Sequence, residues 1–312
     1  MQVESARPRT YLVPRKFYAV PGIIKKLTWQ QAFKLAAIAL LALTWSLLLI
    51  SPRLAEPLYY PGLFEPTKFP NGNYDQTTVN GITRQEVFFT TAKGKRLHGW
   101  YFANPKAAKT VLYSHGNSDN LTHYLRFVSM LLGSGTSVFI YDYEGYGKSE
   151  GGPSLAGICR DGVAAYDYLR SQRHLKPKQI IIYGQSLGTG VSCFIASKRP
   201  AAGIILQSGF SSLSKLAQEL YPPLCFYPSC LLFNQCLDNL AVLEKKHAPL
   251  LLVHGMKDDL IPVSHSEEMF KYAQAPKMFS CLPHATHDDG WAQDANLYQA
   301  TVRRFLSSLN AG

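Results

Sequence analysis

Residues 179–190 read QIIIYGQSLGTG. A β-branched run, Ile180 to Ile182, ends at Gly184, and past Ser186 the pattern turns helical through LGTGVSCFIASKR. A serine at so tight a strand-to-helix turn must accept a strained backbone. Its neighbours two residues away on each side must lack a Cβ so that strand and helix can approach. Gly184-Gln185-Ser186-Leu187-Gly188 therefore predicts a nucleophile elbow that raises the Ser186 hydroxyl above the end of a strand.

An alcohol is a poor nucleophile until a base takes its proton and an acid orients that base, so the elbow demands a carboxylate and then a histidine downstream. Both follow in that order. After the apolar strand PLLLV come His254, Gly255, Met256, Lys257, Asp258 and Asp259, with two carboxylates just past its end. After MFSCL come Pro283, His284, Ala285, Thr286, His287, Asp288 and Asp289, with two imidazoles. No HExxH and no third ligand cluster accompanies the two histidines, so neither a metal nor any other cofactor is expected.

Outward from the elbow, short β-branched and aromatic runs alternate with helix-length segments. Strands are predicted at Glu86–Thr90, Leu97–Ala103, Thr110–Ser114, Ser137–Tyr141, Gln179–Tyr183, Gly203–Gln207, Leu250–Val253 and Lys277–Leu282. Helices fit Leu121–Leu132, Ser154–Ser171, Leu187–Arg199, Ser264–Ala273 and Asp294–Leu309. The first two strands form a hairpin about Lys93-Gly94, and the long connections elsewhere impose parallel pairing with right-handed crossovers. The expected fold class is α/β: one domain over residues 85–312, with an eight-stranded, mostly parallel sheet and helices on both faces.

The N-terminal part is different. Residues 1–60 hold Arg7, Arg9, Arg15, Lys16, Lys25, Lys26, Lys34 and Arg53 against only Glu4 and Glu56, so they carry most of the net charge of +11. A nucleic-acid-binding fold would carry its cations as a stripe on the folded domain, whereas these flank the uncharged run LAAIALLALTWSLLLI, residues 35–50. From Ala32 to Ile50 a helix would cover about 28 Å, close to the hydrocarbon thickness of a bilayer, and Lys34 can snorkel. A cleaved signal peptide needs small residues before the cut, and Arg53 is badly placed for cleavage after Ala55. The expected organisation is a basic cytoplasmic segment (1–31), a transmembrane anchor (32–50) and a proline-rich linker or lead-in (51–84). The catalytic domain then lies outside, by the positive-inside rule; secretion after signal cleavage is the alternative.

The motifs SHGN at Ser114–Asn117, YDYEGYGKSEG at Tyr141–Gly151, YGQSLGTG at Tyr183–Gly190, HGMKDDLIP at His254–Pro262 and HATHDD at His284–Asp289 together resemble the α/β-hydrolase superfamily. Within it they resemble the membrane-associated serine hydrolases that include the Bem46-like proteins and the ABHD17-type (ABHD13-like) enzymes. The resemblance covers about residues 85–310. It implies Asp258 as the acid, with Asp259 solvated, and His287 as the base, with His284 standing where a glycine is common. It also implies an oxyanion hole built from the N–H groups of Leu187 and Asn117, with His115 a turn residue and Asp142 and Tyr146 bracing a loop.

Between the sixth and seventh strands, residues 209–248, the superfamily inserts its lid. Tyr221, Leu224, Phe226, Tyr227, Leu231, Leu232 and Phe233 make this stretch apolar. Tyr221, Phe226, Tyr227 and His284 are candidate pocket residues, against ordinary core packing for the lid aromatics. Cys159, Cys193 and Cys281 read as buried apolar residues, while Cys225, Cys230 and Cys236 cluster in the lid, where one pair could bridge in an oxidising compartment. The expected function is a membrane-anchored serine hydrolase cleaving an acyl ester or thioester. Alternatives are amide cleavage, as in serine aminopeptidases, and a non-catalytic scaffold of the same fold.

Overall fold

The computed structural model describes residues 28–233 and 237–309, in two compact units that divide between Leu47 and Leu48. The apolar run forms one helix, Trp29–Leu49, whose mean hydropathy over 18 residues is 2.0. Lys34 is its one charged residue, and none of its residues is buried among the described residues. Six of the flanking basic residues, Arg7 to Lys26, lie outside the described residues.

In the second unit the strands follow in chain order as β1 (Glu65–Pro66), β2 (Thr78–Val79), β3 (Ile82–Thr90), β4 (Arg96–Phe102), β5 (Thr110–Ser114) and β6 (Ser118–Asp119). Then come β7 (Ser137–Tyr141), β8 (Ile180–Gln185), β9 (Gly203–Gln207), β10 (Leu250–Gly255) and β11 (Lys277–Leu282). Nine of these make one sheet in the order β11-β10-β9-β8-β5-β7-β4-β3-β2, and β1 and β6 pair apart from it. The pairs from β7 through β5, β8, β9 and β10 to β11 are parallel. Those from β7 through β4 and β3 to β2 are antiparallel. The eight expected strands are all present, and the count is corrected to nine by β2, a two-residue edge strand too short to leave a periodic signal.

Period-two alternation distributes each strand between two cores. On β5, Val111 and Tyr113 face one side and Leu112 the other; on β8, Ile181 and Tyr183 oppose Ile180 and Ile182. Helices Leu125–Gly133 and Ala295–Ser308 cover the first face, and Leu155–Ser171 and Leu187–Lys198 the second. Each expected helix forms to within a residue or two, except that the one at Leu121 opens with a 3-10 turn to Tyr124.

Residues 51–84 are not an unstructured tether. Helix Glu56–Leu63 takes Pro57 in its first turn, where no hydrogen bond is lost, and accommodates Pro61 near its end. Phe64 is buried with the Tyr60 ring edge-on to it, and Leu63 packs on the same apolar cluster; β1 then pairs in parallel with β6. What holds this segment is tertiary packing, which proline content does not reveal. In the lid, Leu213–Leu220 and Asn239–Leu243 are helical. Cys225 and Cys230 carry free, exposed thiols, and the disulfide expectation for Cys236 falls outside the described residues.

Candidate active site

The chain leaves β5 toward β7 on one side and returns to β8 on the other, so the loops after β5 and β8 diverge from adjacent strand ends, where Ser114 pairs with Gly184. Open α/β sheets place their ligands at such a switch point. Ser186 stands there between β8 and helix Leu187–Lys198, with φ +52° and ψ −122°. That left-handed backbone is a strained state for a residue bearing a Cβ. It is held by the Ser186 N–H to the Gln207 carbonyl at 3.0 Å. A Cβ on Gly184 would overlap the Gly188 carbonyl, and one on Gly188 would overlap the Ser114 carbonyl. The spacing of the motif is thus set by backbone approaching backbone.

Three side chains from three strand ends converge. His287 Nε2 lies 2.9 Å from Ser186 Oγ and its Nδ1 lies 2.7 Å from Asp258 Oδ2. The Nδ1–H therefore donates to the carboxylate, leaving Nε2 to accept from the hydroxyl. Each of the three residues is less than 9% exposed. The loops that carry the acid and the base are joined along the backbone: Met256 N–H donates to the Leu282 carbonyl at 2.9 Å and Lys257 N–H to that of Ala285 at 3.0 Å.

Asp258 is heavily supplied with donors. Its Oδ1 accepts the N–H groups of Leu260 and Ile261 at 3.1 and 2.8 Å. Its Oδ2 faces His254 Nε2 at 3.2 Å as well as His287. Burial alone would raise this carboxyl, but the hydrogen bonds from His254 and His287 outweigh it and hold the group well below the usual carboxylate range. For His287, burial favours the neutral ring, and the hydrogen bond and charge of Asp258 overcome it, raising the imidazole above its ordinary value. Asp259 is exposed beside the turn.

Leu187 opens its helix directly after the serine, so its N–H has no intrahelical carbonyl to bond. On the other side runs the β5–β6 turn, where a Cβ on Gly116 would stand 3.7 Å from Ser186 Cβ. Asn117 follows it, half-buried. His115 is fully buried, and burial lowers its pKa.

The pocket candidates separate. His284 is a correction: its ring is exposed and bonded through Nδ1 to Asp294 Oδ1 at 2.9 Å, and its N–H also donates to Asp294, so it staples a surface loop. Tyr221 and Phe226 project to solvent, whereas Tyr227 packs in the apolar cluster that contains Leu187 and Ile261. Gln185, read only as part of the elbow, has a second task. It accepts from the Tyr113 hydroxyl and donates through Nε2 to Asp288 Oδ1 at 3.0 Å, tying the elbow to the residue after the histidine. His254 and Ser208, whose hydroxyl donates to the His287 carbonyl at 3.1 Å, also went unread. In the sequence His254 stands just past the strand PLLLV, and nothing local marks its contact with a carboxylate four residues on. Among the described residues no cluster of three or more His, Cys, Asp or Glu could hold a metal ion.

Comparison with known proteins agrees with this architecture. Residues 105–226 match the family model described as serine aminopeptidase, S33. An uncharacterized protein of Mycobacterium tuberculosis is 33% identical over 225 residues, covering 72% of this chain and 79% of its own. Human alpha/beta hydrolase domain-containing protein 17B is 33% identical over 229 residues, covering 71% of this chain and 75% of its own. Among solved structures, an esterase of Pyrococcus furiosus superposes with a TM-score of 0.64 at 21% identity, covering 79% of this chain and 98% of the esterase. That likeness is one of fold.

Proposed function

The chain belongs to the α/β-hydrolase superfamily and is a serine hydrolase of that fold, and from this premise we propose that it cleaves carboxylic esters or thioesters through Ser186, His287 and Asp258. The observation that carries the reading is the unbroken line from Ser186 Oγ through the imidazole to Asp258, at 2.9 and 2.7 Å. As Oγ attacks the carbonyl carbon, its proton passes to His287 Nε2, and Asp258 stabilises the imidazolium without itself taking the proton. The carbonyl oxygen becomes an oxyanion between the N–H groups of Leu187 and Asn117. Collapse expels the alcohol or thiol, which takes the proton from Nε2 and leaves an acyl-serine. Water then gives a proton to His287 and attacks the acyl carbon, and the proton returns to Ser186 as the acid departs.

An acyl substituent suits the surroundings. Tyr227, Leu232 and Phe233 of the lid are buried in the same apolar cluster as Leu187 and Ile261, so the lid adds apolar side chains to the core that carries the elbow. Helix Trp29–Leu49 anchors the enzyme in a bilayer, with the basic segment on the cytoplasmic side and the catalytic domain beyond it. The family model's description, serine aminopeptidase, favours amide cleavage as a second reading. A fluorophosphonate probe tests the class. Labelling of the wild type that disappears in Ser186→Ala supports it, and a folded wild type that stays unlabelled favours a scaffold. Rates on p-nitrophenyl esters of increasing chain length against aminoacyl anilides divide esterase from peptidase.

A further inference from the structure

The turn after β5, His115-Gly116-Asn117, has every one of its three carbonyls held from outside the backbone ladder. Tyr143 Oη donates to the His115 carbonyl at 2.8 Å, and His115 Nδ1 donates to the Gly116 carbonyl at 2.8 Å. Tyr146 Oη donates to the Asn117 carbonyl at 2.6 Å, and the Glu65 N–H of β1 donates to the same oxygen at 3.0 Å. The Gly116 carbonyl and the Asn117 N–H belong to one planar peptide unit and point in opposite directions, so whatever fixes the oxygen aims the hydrogen. The bonds on either side of that unit remove its remaining freedom to rotate.

The two tyrosines are core residues set against the turn. Both are fully buried with rings packed on His115, at centroid distances of 4.4 and 5.3 Å. Packing would be met equally by phenylalanine; the hydroxyls add the bonds to the two carbonyls, and that of Tyr143 also meets Ser114 and Tyr141. Past β1 the lead-in is tied to β6 and to Asn120, which follows it. Thr67 N–H donates to the Asp119 carbonyl at 3.1 Å, and Asn120 Nδ2 donates to the carbonyls of Thr67 and Asn71 at 3.2 and 2.9 Å.

We infer that Tyr143, Tyr146 and the lead-in strand Glu65–Pro66 are positioning residues of the oxyanion hole, which preset the Asn117 N–H for the charge that develops in the transition state. The inference rests on the hydrolase reading above. It adds that the segment joining the apolar helix to the sheet, which precedes the span matched by the family model, is part of the catalytic apparatus. A donor fixed during folding costs no reorganisation when the oxyanion forms, so loosening it lowers kcat and leaves ground-state binding intact.

The test uses the full chain with a p-nitrophenyl ester and a trifluoromethyl ketone as transition-state mimic. The variants are Tyr143→Phe, Tyr146→Phe, both together, and Glu65→Pro, which deletes the backbone donor. Tyr166→Phe is the control, because it loses a comparable hydroxyl-to-carbonyl bond to Pro200 at the far end of helix Leu187–Lys198. Each tyrosine variant is expected to lose roughly tenfold in kcat and the double variant roughly a hundredfold, with KM within about twofold. The ketone should weaken by the same factors, Glu65→Pro should lose kcat in the same way, and Tyr166→Phe should match the wild type. A double variant that keeps wild-type kcat, a loss confined to KM, or an equal loss in Tyr166→Phe would overturn the inference. Melting temperatures taken alongside separate lost catalysis from lost folding. A wild type that neither accepts the fluorophosphonate nor cleaves any ester fails earlier, and takes the hydrolase reading with it.

Discussion

His287 can act as a base only while its ring is neutral, and the charge and hydrogen bond of Asp258 raise its pKa above the ordinary imidazole value despite burial. The sign follows directly: kcat/KM for a neutral ester should fall as pH drops through that raised value, so the acid limb should have its midpoint above about 6.5. Removing the carboxylate charge in Asp258→Asn should move any surviving limb to lower pH and cut kcat by about 10³- to 10⁴-fold. A pH profile measured from pH 5 to 9 on both proteins checks this. A wild-type midpoint below 6.5, or a variant within tenfold of wild type, would count against Asp258 as the partner. His254 belongs to the same chain of support. Its Nδ1 accepts from Ser266 Oγ at 2.7 Å, and its Nε2 donates to the Ile261 carbonyl at 2.8 Å while facing Asp258. The acid is thereby kept ionised from two sides.

Helix Leu155–Ser171 carries a carboxyl inward as well, and there the balance is reversed. Asp161 is fully buried; its Oδ2 accepts the Glu144 N–H at 2.9 Å, while its Oδ1 and Glu144 Oε1 lack hydrogen-bond partners among the described residues. Burial pushes the Asp161 carboxyl up to about 8. The folded state then holds a proton that the unfolded chain gives up near pH 4, so this group's contribution to stability is full below pH 4 and is lost as pH rises through 8. Asp161→Asn keeps an acceptor for the Glu144 amide and cannot ionise. It should raise stability by about 1–3 kcal/mol at pH 9, with no gain at pH 4; urea unfolding at the two pH values reads the difference, and an equal effect at both would refute it. At this same scale lies the boundary of what sequence reveals. The eight longer strands were legible because most are buried on both faces and so survive as short β-branched and aromatic runs, and the serine, acid and base because chain order and loop spacing survive in the sequence. Helix Glu56–Leu63 was not, since Pro61 breaks its pattern and its stability comes from Tyr60 and Phe64 packing on the domain. Nor was the Gln185–Asp288 tie, which joins residues 103 positions apart through side chains that look solvated when read locally.

Over the whole molecule, the same catalytic unit would meet different substrates depending on what becomes of helix Trp29–Leu49. Its 21 residues give about 32 Å of helix, enough to cross a hydrocarbon core of about 30 Å. Thr44 hides its hydroxyl on the Leu40 carbonyl at 2.8 Å, which removes the polar penalty in lipid. Trp29 stands at the end nearest the basic segment, where indoles favour the interface. An anchored enzyme draws its esters from the membrane and its surface; a secreted one meets soluble esters. The anchor predicts that the intact chain sediments with membranes and resists alkaline carbonate extraction. Leu41→Arg, at about 2.5–3.5 kcal/mol for a mid-helix cation, should shift a measurable fraction to the supernatant. Protease added to the outer face should digest the catalytic domain and spare a tag placed before Arg7. A mature N-terminus found within residues 51–56 by terminal sequencing would instead make the helix a signal peptide, and the lead-in strand would then brace the oxyanion turn of a soluble enzyme.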